Sequence, residues 1–134
     1  MRLTNVSFEP PVPKSQIPAL AAHADAFVFN LIDAPVFKYG ISSNKLFDFM
    51  AAERPVVFSC DSTNNPINDA QAGLTVKPGQ PGALANAICE IAATPLVQRQ
   101  RMGRAGREYV EQNHGFEQLA GRLAAVLDDA CTRR

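Results

Sequence analysis

From residue 38 to residue 53 the chain runs Lys38-Tyr39-Gly40-Ile41-Ser42-Ser43-Asn44-Lys45-Leu46-Phe47-Asp48-Phe49-Met50-Ala51-Ala52-Glu53. Ser42, Ser43 and Asn44 are all good helix N-caps. Beyond them Leu46, Phe49 and Met50 fall at i, i+3 and i+4, the spacing of a helix that packs on a sheet. The first amides of such a helix have no carbonyl partner inside it and carry partial positive charge. Lys45, in the first turn, adds a full cation. That placement is unfavourable unless an anion such as a phosphate sits there as well. Asp48, one turn further on, has the chemistry to accept hydrogen bonds from two adjacent hydroxyls, as on a ribose or a sugar. These residue types at this spacing fit a phosphate-and-diol site. The competing account is an exposed Lys45–Asp48 pair, worth about a few tenths of a kcal/mol.

The flanking elements must hold that segment in place. Ala26-Phe27-Val28-Phe29 precedes it and Pro55-Val56-Val57-Phe58 follows it, which gives strand, loop, helix, strand. The rest of the chain continues the alternation. Strands are expected near 5–9, 26–30 (buried), 55–59 and 74–76. Helices are expected near 16–23, 66–71, 82–93, 95–113 and 116–130. Pro18 is acceptable in a first turn, and His23 should lie on the surface near that helix's end. Leu84, Ala87, Ile88 and Ile91 form one apolar face. Leu119, Leu123, Val126 and Leu127 form another, which should face inward. Right-handed crossovers would make the sheet parallel. The fold class is therefore α/β, Rossmann-like, three-layered, with about four parallel strands and a helical C-terminal cap. In such sheets ligands bind at the loops leaving the strand carboxyl ends. Those loops are 31–38, leading into Tyr39, and the polar run 60–66.

Composition narrows the classes. At 134 residues with 46% apolar content the chain is one globular domain by length. Its formal net charge is zero, which gives no case for nucleic-acid or membrane attraction through bulk charge. Arg99, Arg101, Arg104 and Arg107 cluster late, and read as the solvated face of a helix with acidic partners nearby. Cys60, Cys89 and Cys131 have no metal-type spacing and suggest neither a zinc site nor a disulfide framework. Cys60 reads as an inert buried thiol. A reducing, cytoplasmic setting is expected, with attachment to the inner membrane surface left open. No leader is visible at Met1-Arg2-Leu3-Thr4. Gly103-Arg104-Ala105-Gly106 looks like a phosphate loop but lies inside a helix without a preceding strand, and is set aside.

The segment Tyr39 to Val57 resembles the donor-site segment of GT-B-fold glycosyltransferases, group 1 or family 4 type. The closest group is the bacterial surface-polysaccharide subgroup, with its pattern Y-G-I-S-P-N-K-L-F-D-Y-M-A-A-G-[KR]-P-V. The resemblance extends upstream through Pro11-Val12-Pro13-Lys14 and Ala24-Asp25-Ala26. Downstream it includes Ala72 to Val76 and Met102 to Val110. It implies that Gly40, Ile41, Ser42, Ser43, Asn44 and Lys45 face the diphosphate and sugar of a nucleotide-sugar donor. Asp48 falls where relatives place the second acid of an acid-x7-acid pair, which holds the ribose. The first acid position falls on Gly40, so its sugar contact is absent here, as in the resembling subgroup. Ser43 stands for the usual Pro, and Glu53 for the usual Gly. If position 53 needs a left-handed backbone, Glu costs roughly 1 kcal/mol there.

The resemblance further implies that residues 1–134 form a partial C-terminal donor domain, the acceptor domain being absent. The parent would transfer a hexosyl or N-acetylhexosaminyl unit, from UDP most naturally, to a polysaccharide or lipid-linked acceptor. It would need no cofactor and no metal, and its catalytic residues are not identifiable here. The isolated chain would be inactive or nearly so. A second reading is a non-catalytic module that binds nucleotide or a partner, or associates with itself through an exposed sheet edge. A receiver-type signalling domain suits the length but lacks the acidic cluster after the first strand.

Overall fold

The computed structural model describes residues 3–133 of the chain, so Met1 and Arg2 of the segment searched for a leader lie outside the described residues. Its centre is a sheet of three parallel strands in the order β1-β2-β3: β1 Phe27–Asn30, β2 Val56–Ser59 and β3 Gly73–Val76. Every residue of β2 is buried. Its run of Val-Val-Phe suits a strand covered on both faces. Val56 and Phe58 point to one side, into a core with Leu46, Met50, Ile67 and Ala72. Val57 points to the other and packs with Ala87 and Ile91. Burying side chains as large as Phe58, Leu46 and Met50 contributes about 1.5–3 kcal/mol each.

The helices follow from these two faces. α1 (Ile17–Ala22) is preceded by a 3-10 turn at Lys14–Gln16, and Pro18 does lie in its first turn. His23 is exposed at its end. A second 3-10 turn at Pro35–Tyr39 leads to α2 (Asn44–Ala51), which lays Leu46 and Met50 on the sheet. Phe49 stacks on Phe27, ring centres 4.3 Å apart, and meets Phe29 edge-on. α3 (Pro66–Ala70) and α5 (Leu96–Asn113) join that layer, while α4 (Pro81–Ala93) covers the opposite face of β2 and β3. α6 (Phe116–Thr132) closes the chain.

Four expectations are corrected. Residues 5–9 form no strand, and Phe8 is 95% exposed. Pro10, Pro11 and Pro13 remove ladder donors just beyond it. The described residues therefore hold three strands rather than four. β1, expected to be buried, is half-exposed: Phe27 and Phe29 turn inward, whereas Val28 is 45% exposed, α4 packing mainly on β2 and β3. Ile88, grouped with the inner face of α4, is exposed. The face of α6 expected to point inward does not: Leu119, Leu123, Val126 and Leu127 are 42–65% exposed. Its periodicity is amphipathic, but among the described residues no element buries that face.

The Gly103-Arg104-Ala105-Gly106 run is a packing surface. At Gly103 a Cβ would run into the carbonyl of Glu53, and at Gly106 it would press on the Cβ of Ala72 and touch that of Met50. The two glycines let α5 lie almost on the backbone at the turn from α2 to β2. Among the arginines around them only Arg99 departs from the expected exposed face, being half-buried. Arg107 pairs with Glu53 and Glu111, and Arg99 donates to the carbonyls of Ala92 and Thr94. Arg101 and Arg104 are exposed.

Candidate functional site

α2 starts at the carboxyl end of the sheet. Ser43 is its N-cap residue, with extended φ −124° and ψ 113°, and its side chain makes no capping bond. The Leu46 N–H donates to the Ser43 carbonyl at 3.0 Å. The amides of Asn44 and Lys45 precede any carbonyl that the helix could offer them. The side chains of Ser42, Asn44, Lys45 and Asp48 are exposed around this end, while Gly40, Ile41 and Ser43 are half-buried. Among the described residues no ion pair links Lys45 to Asp48, so the competing account of an i, i+3 pair is not realised.

The loop before α2 is held from two directions. Ile41 packs its side chain on the core of Leu46, Phe58 and Ile67. Its backbone is held by Asn64, from the loop after β2. The Ile41 N–H donates to Asn64 Oδ1 at 2.6 Å, and Asn64 Nδ2 donates to the Ile41 carbonyl at 2.8 Å. Ser62 Oγ donates to the same Oδ1 at 2.8 Å. Gly40 beside it has φ +109° and ψ 170°, a conformation almost reserved for glycine. A Cβ at Gly40 would stand 3.2 Å from Asn64 Oδ1. A side chain at position 40, acidic or otherwise, is thus strained in this loop conformation. Asn65 works on the other side: its Oδ1 accepts from the Asn68 N–H at the start of α3, and its Nδ2 donates to Thr75 Oγ1 of β3. Side-chain amides thereby tie the loops after β1 and β2 to each other and to Thr75 within β3.

Beside Asp48 lies a pocket of about 560 Å3 between α1 and α2. Ile17, Pro18 and Ala21 form one wall, Asp48 and Ala52 the other, and Lys14 stands at the edge. Arg54 fixes the first wall. Its Nε donates to the Ala24 carbonyl at 2.6 Å and its Nη2 to that of Ala22 at 2.8 Å, the carbonyls at the end of α1. Behind α2, His114 stacks on Phe47 with ring centres 4.1 Å apart, next to Tyr109. Burial lowers the His114 pKa, with Arg122 adding to the effect, and burial raises that of Tyr109. Cys60 is buried, and burial and then Asp61 push its thiol pKa up, as suits an unreactive sulfur. A smaller cavity of about 330 Å3 opens at the amino ends of β1 and β2. The guanidiniums of Arg54 and Arg99 that line it are already committed to carbonyls. Among the described residues no group of three or more His, Cys, Asp or Glu could hold a metal ion, and no helix is long and apolar enough to cross a membrane.

The structure thus places Gly40 through Lys45 at the start of α2 and Asp48 one turn further along it. Sequence reasoning missed Asn64 and the α1 wall. Asn64 sits in the 60–66 loop, read as a ligand-side loop with no single residue picked out; the Lys14-to-Ala21 stretch follows Val12-Pro13 and carries no spacing that points to α2.

Parallel strands between helix layers, with an open helix end at their carboxyl edge, make this a Rossmann-like α/β domain of the kind that forms half of a GT-B fold. Residues 2–94 match the family described as Glycosyl transferases group 1, and the chain belongs to that family. Its fold is similar to that of sucrose-phosphate synthase from Thermosynechococcus elongatus, with a TM-score of 0.77 at 22% identity over 96% of this chain. The chain spans only 31% of the length of that structure. No curated protein matches it.

Proposed function

We propose that the chain is the donor-binding part of a glycosyltransferase that uses a nucleotide-sugar, UDP-linked in the simplest case. The observation that carries this reading is the open N-terminus of α2, with Lys45 in its first turn and Asp48 beside a pocket, within the stretch that matches the family. A nucleoside diphosphate laid along α2 meets groups in the right order. The phosphates face Gly40 to Lys45, the ribose hydroxyls face Asp48, and the base enters the apolar space against Ile17, Pro18 and Ala52. Backbone amides and Lys45 stabilise the negative charge that grows on the leaving diphosphate, without a metal.

In this reading residues 1–134 serve as the C-terminal, donor half of a two-domain enzyme. The acceptor, a polysaccharide or lipid-linked sugar, is held by a second domain, and a hexosyl or N-acetylhexosaminyl unit crosses between them. The chain alone has little or no transferase activity. It works in the cytoplasm, at the inner face of the membrane where a lipid-linked acceptor requires it.

Titration of the chain with UDP and UDP-sugars, followed calorimetrically, tests the reading. Binding is expected in the wild type and at least about ten-fold weaker in Lys45→Ala and Asp48→Ala, each removing a charge-assisted contact. Equal binding by all three would remove both residues from the site. A second reading, a module that associates with itself or a partner, rests on the exposed β1 flank at Val28 and the exposed Phe8. A sedimentation coefficient that rises with concentration would favour it.

A further inference from the structure

We infer that Asn64 is a positioning residue for the phosphate-facing loop, a role that rests on the donor-site reading above. Asn64 is not itself among the proposed ligand-facing residues; it acts through Ile41, which is one of them. It gives Ile41 one acceptor and one donor, at 2.6 and 2.8 Å, and so treats that residue as a neighbouring strand would. The bond from Ser62 to Oδ1 sets the amide's orientation. Rotating the amide by half a turn would oppose N–H to N–H and oxygen to oxygen. With the Ile41 side chain on the core, both ends of the residue are held, and the direction in which Ser42, Ser43 and the first amides of α2 point is set. Gly40 leaves room for this: any side chain there would press on Asn64 Oδ1. The loops after β1 and β2 therefore move as one body, and an ordered anion-binding loop exists before ligand arrives.

The test uses the whole chain, with the Ile41 amide followed by NMR hydrogen exchange and UDP binding followed by titration. In the wild type the Ile41 amide is protected. In Asn64→Ala that protection is lost, β2 and α5 amides stay protected, and UDP binds about ten-fold more weakly, as losing a hydrogen-bonded support predicts. Asn64→Asp adds a readout that loss of packing would not move. At neutral pH its carboxylate opposes the Ile41 carbonyl and behaves as Asn64→Ala does. Once protonated in mild acid it regains a donor, and its affinity relative to the wild type at the same pH recovers. Wild-type affinity in Asn64→Ala, or no recovery of Asn64→Asp in acid, overturns the inference alone. A wild type with a protected Ile41 amide that binds no UDP overturns the donor-site reading, and this inference with it, before any substitution is made.

Discussion

Glu53 occupies a backbone conformation that suits glycine, with φ +57° just past the end of α2. A left-handed non-glycine residue costs roughly 1 kcal/mol. Its carboxylate pairs with Arg107 at 3.1 Å, but both side chains are largely exposed, so the pair offsets little of that cost. Glu53→Gly should therefore stabilise the chain by up to about 1 kcal/mol, a rise of a few degrees in Tm by thermal melting. Gly40 is the converse case: there the residue matches the backbone, and any side chain would be strained at φ +109° and would crowd Asn64 Oδ1. His114 makes the third residue-scale point. Burial against Phe47 holds its pKa below the ordinary value, so the folded state binds fewer protons than the unfolded state as the solution acidifies. Its contribution is complete above pH about 6.5 and is lost as pH falls through and below that value. His114→Phe keeps the stack and should flatten the stability-versus-pH curve below about pH 6.5, measured by denaturant melts.

At the scale of elements, the register of α5 against the α2–β2 turn depends on two missing side chains. Gly103→Ala would drive a methyl into the Glu53 carbonyl, and the helix would have to lift off the turn. We expect a loss of about 2–3 kcal/mol, judged by the usual cost of overpacking. Gly121, in the middle of α6 with open space around it, is the control. Gly121→Ala should be neutral or stabilising by about 0.5–1 kcal/mol, since only helix propensity changes. Chemical denaturation of both variants separates a packing glycine from an incidental one. The same contact bears on the site, because α5 backs α2 from Gly106 at Met50 to Tyr109 and His114 around Phe47.

At the scale of the molecule, the core is concentrated around β2, and the two ends of the chain contribute little to it. Residues 3–20 are exposed throughout, and α6 has no buried residue. Truncation after Gly115 should leave Tm within about 2 °C of the full chain, because almost no apolar area would be returned to water. It should also lessen any concentration-dependent association that the apolar stripe of α6 supports, measured by light scattering. A larger fall in Tm would mean that α6 packs on the core in solution.

The alternation of apolar runs with helical periodicity was enough to determine three of the strands, six α-helices among the described residues and the parallel α/β plan. Local chemistry likewise placed Gly40 to Lys45 and Asp48 around one helix end, because a cap, its first turn and the residue one turn on are neighbours by helix geometry alone. What the sequence could not determine was whatever depends on a partner far along the chain. An amphipathic pattern on α6 says which side is apolar but not whether anything covers it, and a short apolar run at 5–9 becomes a strand only where a ladder is offered. Asn64 reads as one polar residue among several; only the approach of the β1 and β2 loops gives its amide the backbone of Ile41. The α1 wall of the pocket, held by Arg54 at a separation of about thirty residues, has the same origin. Periodicity and capping are properties of consecutive residues, whereas burial and long-range hydrogen bonds belong to the packed chain.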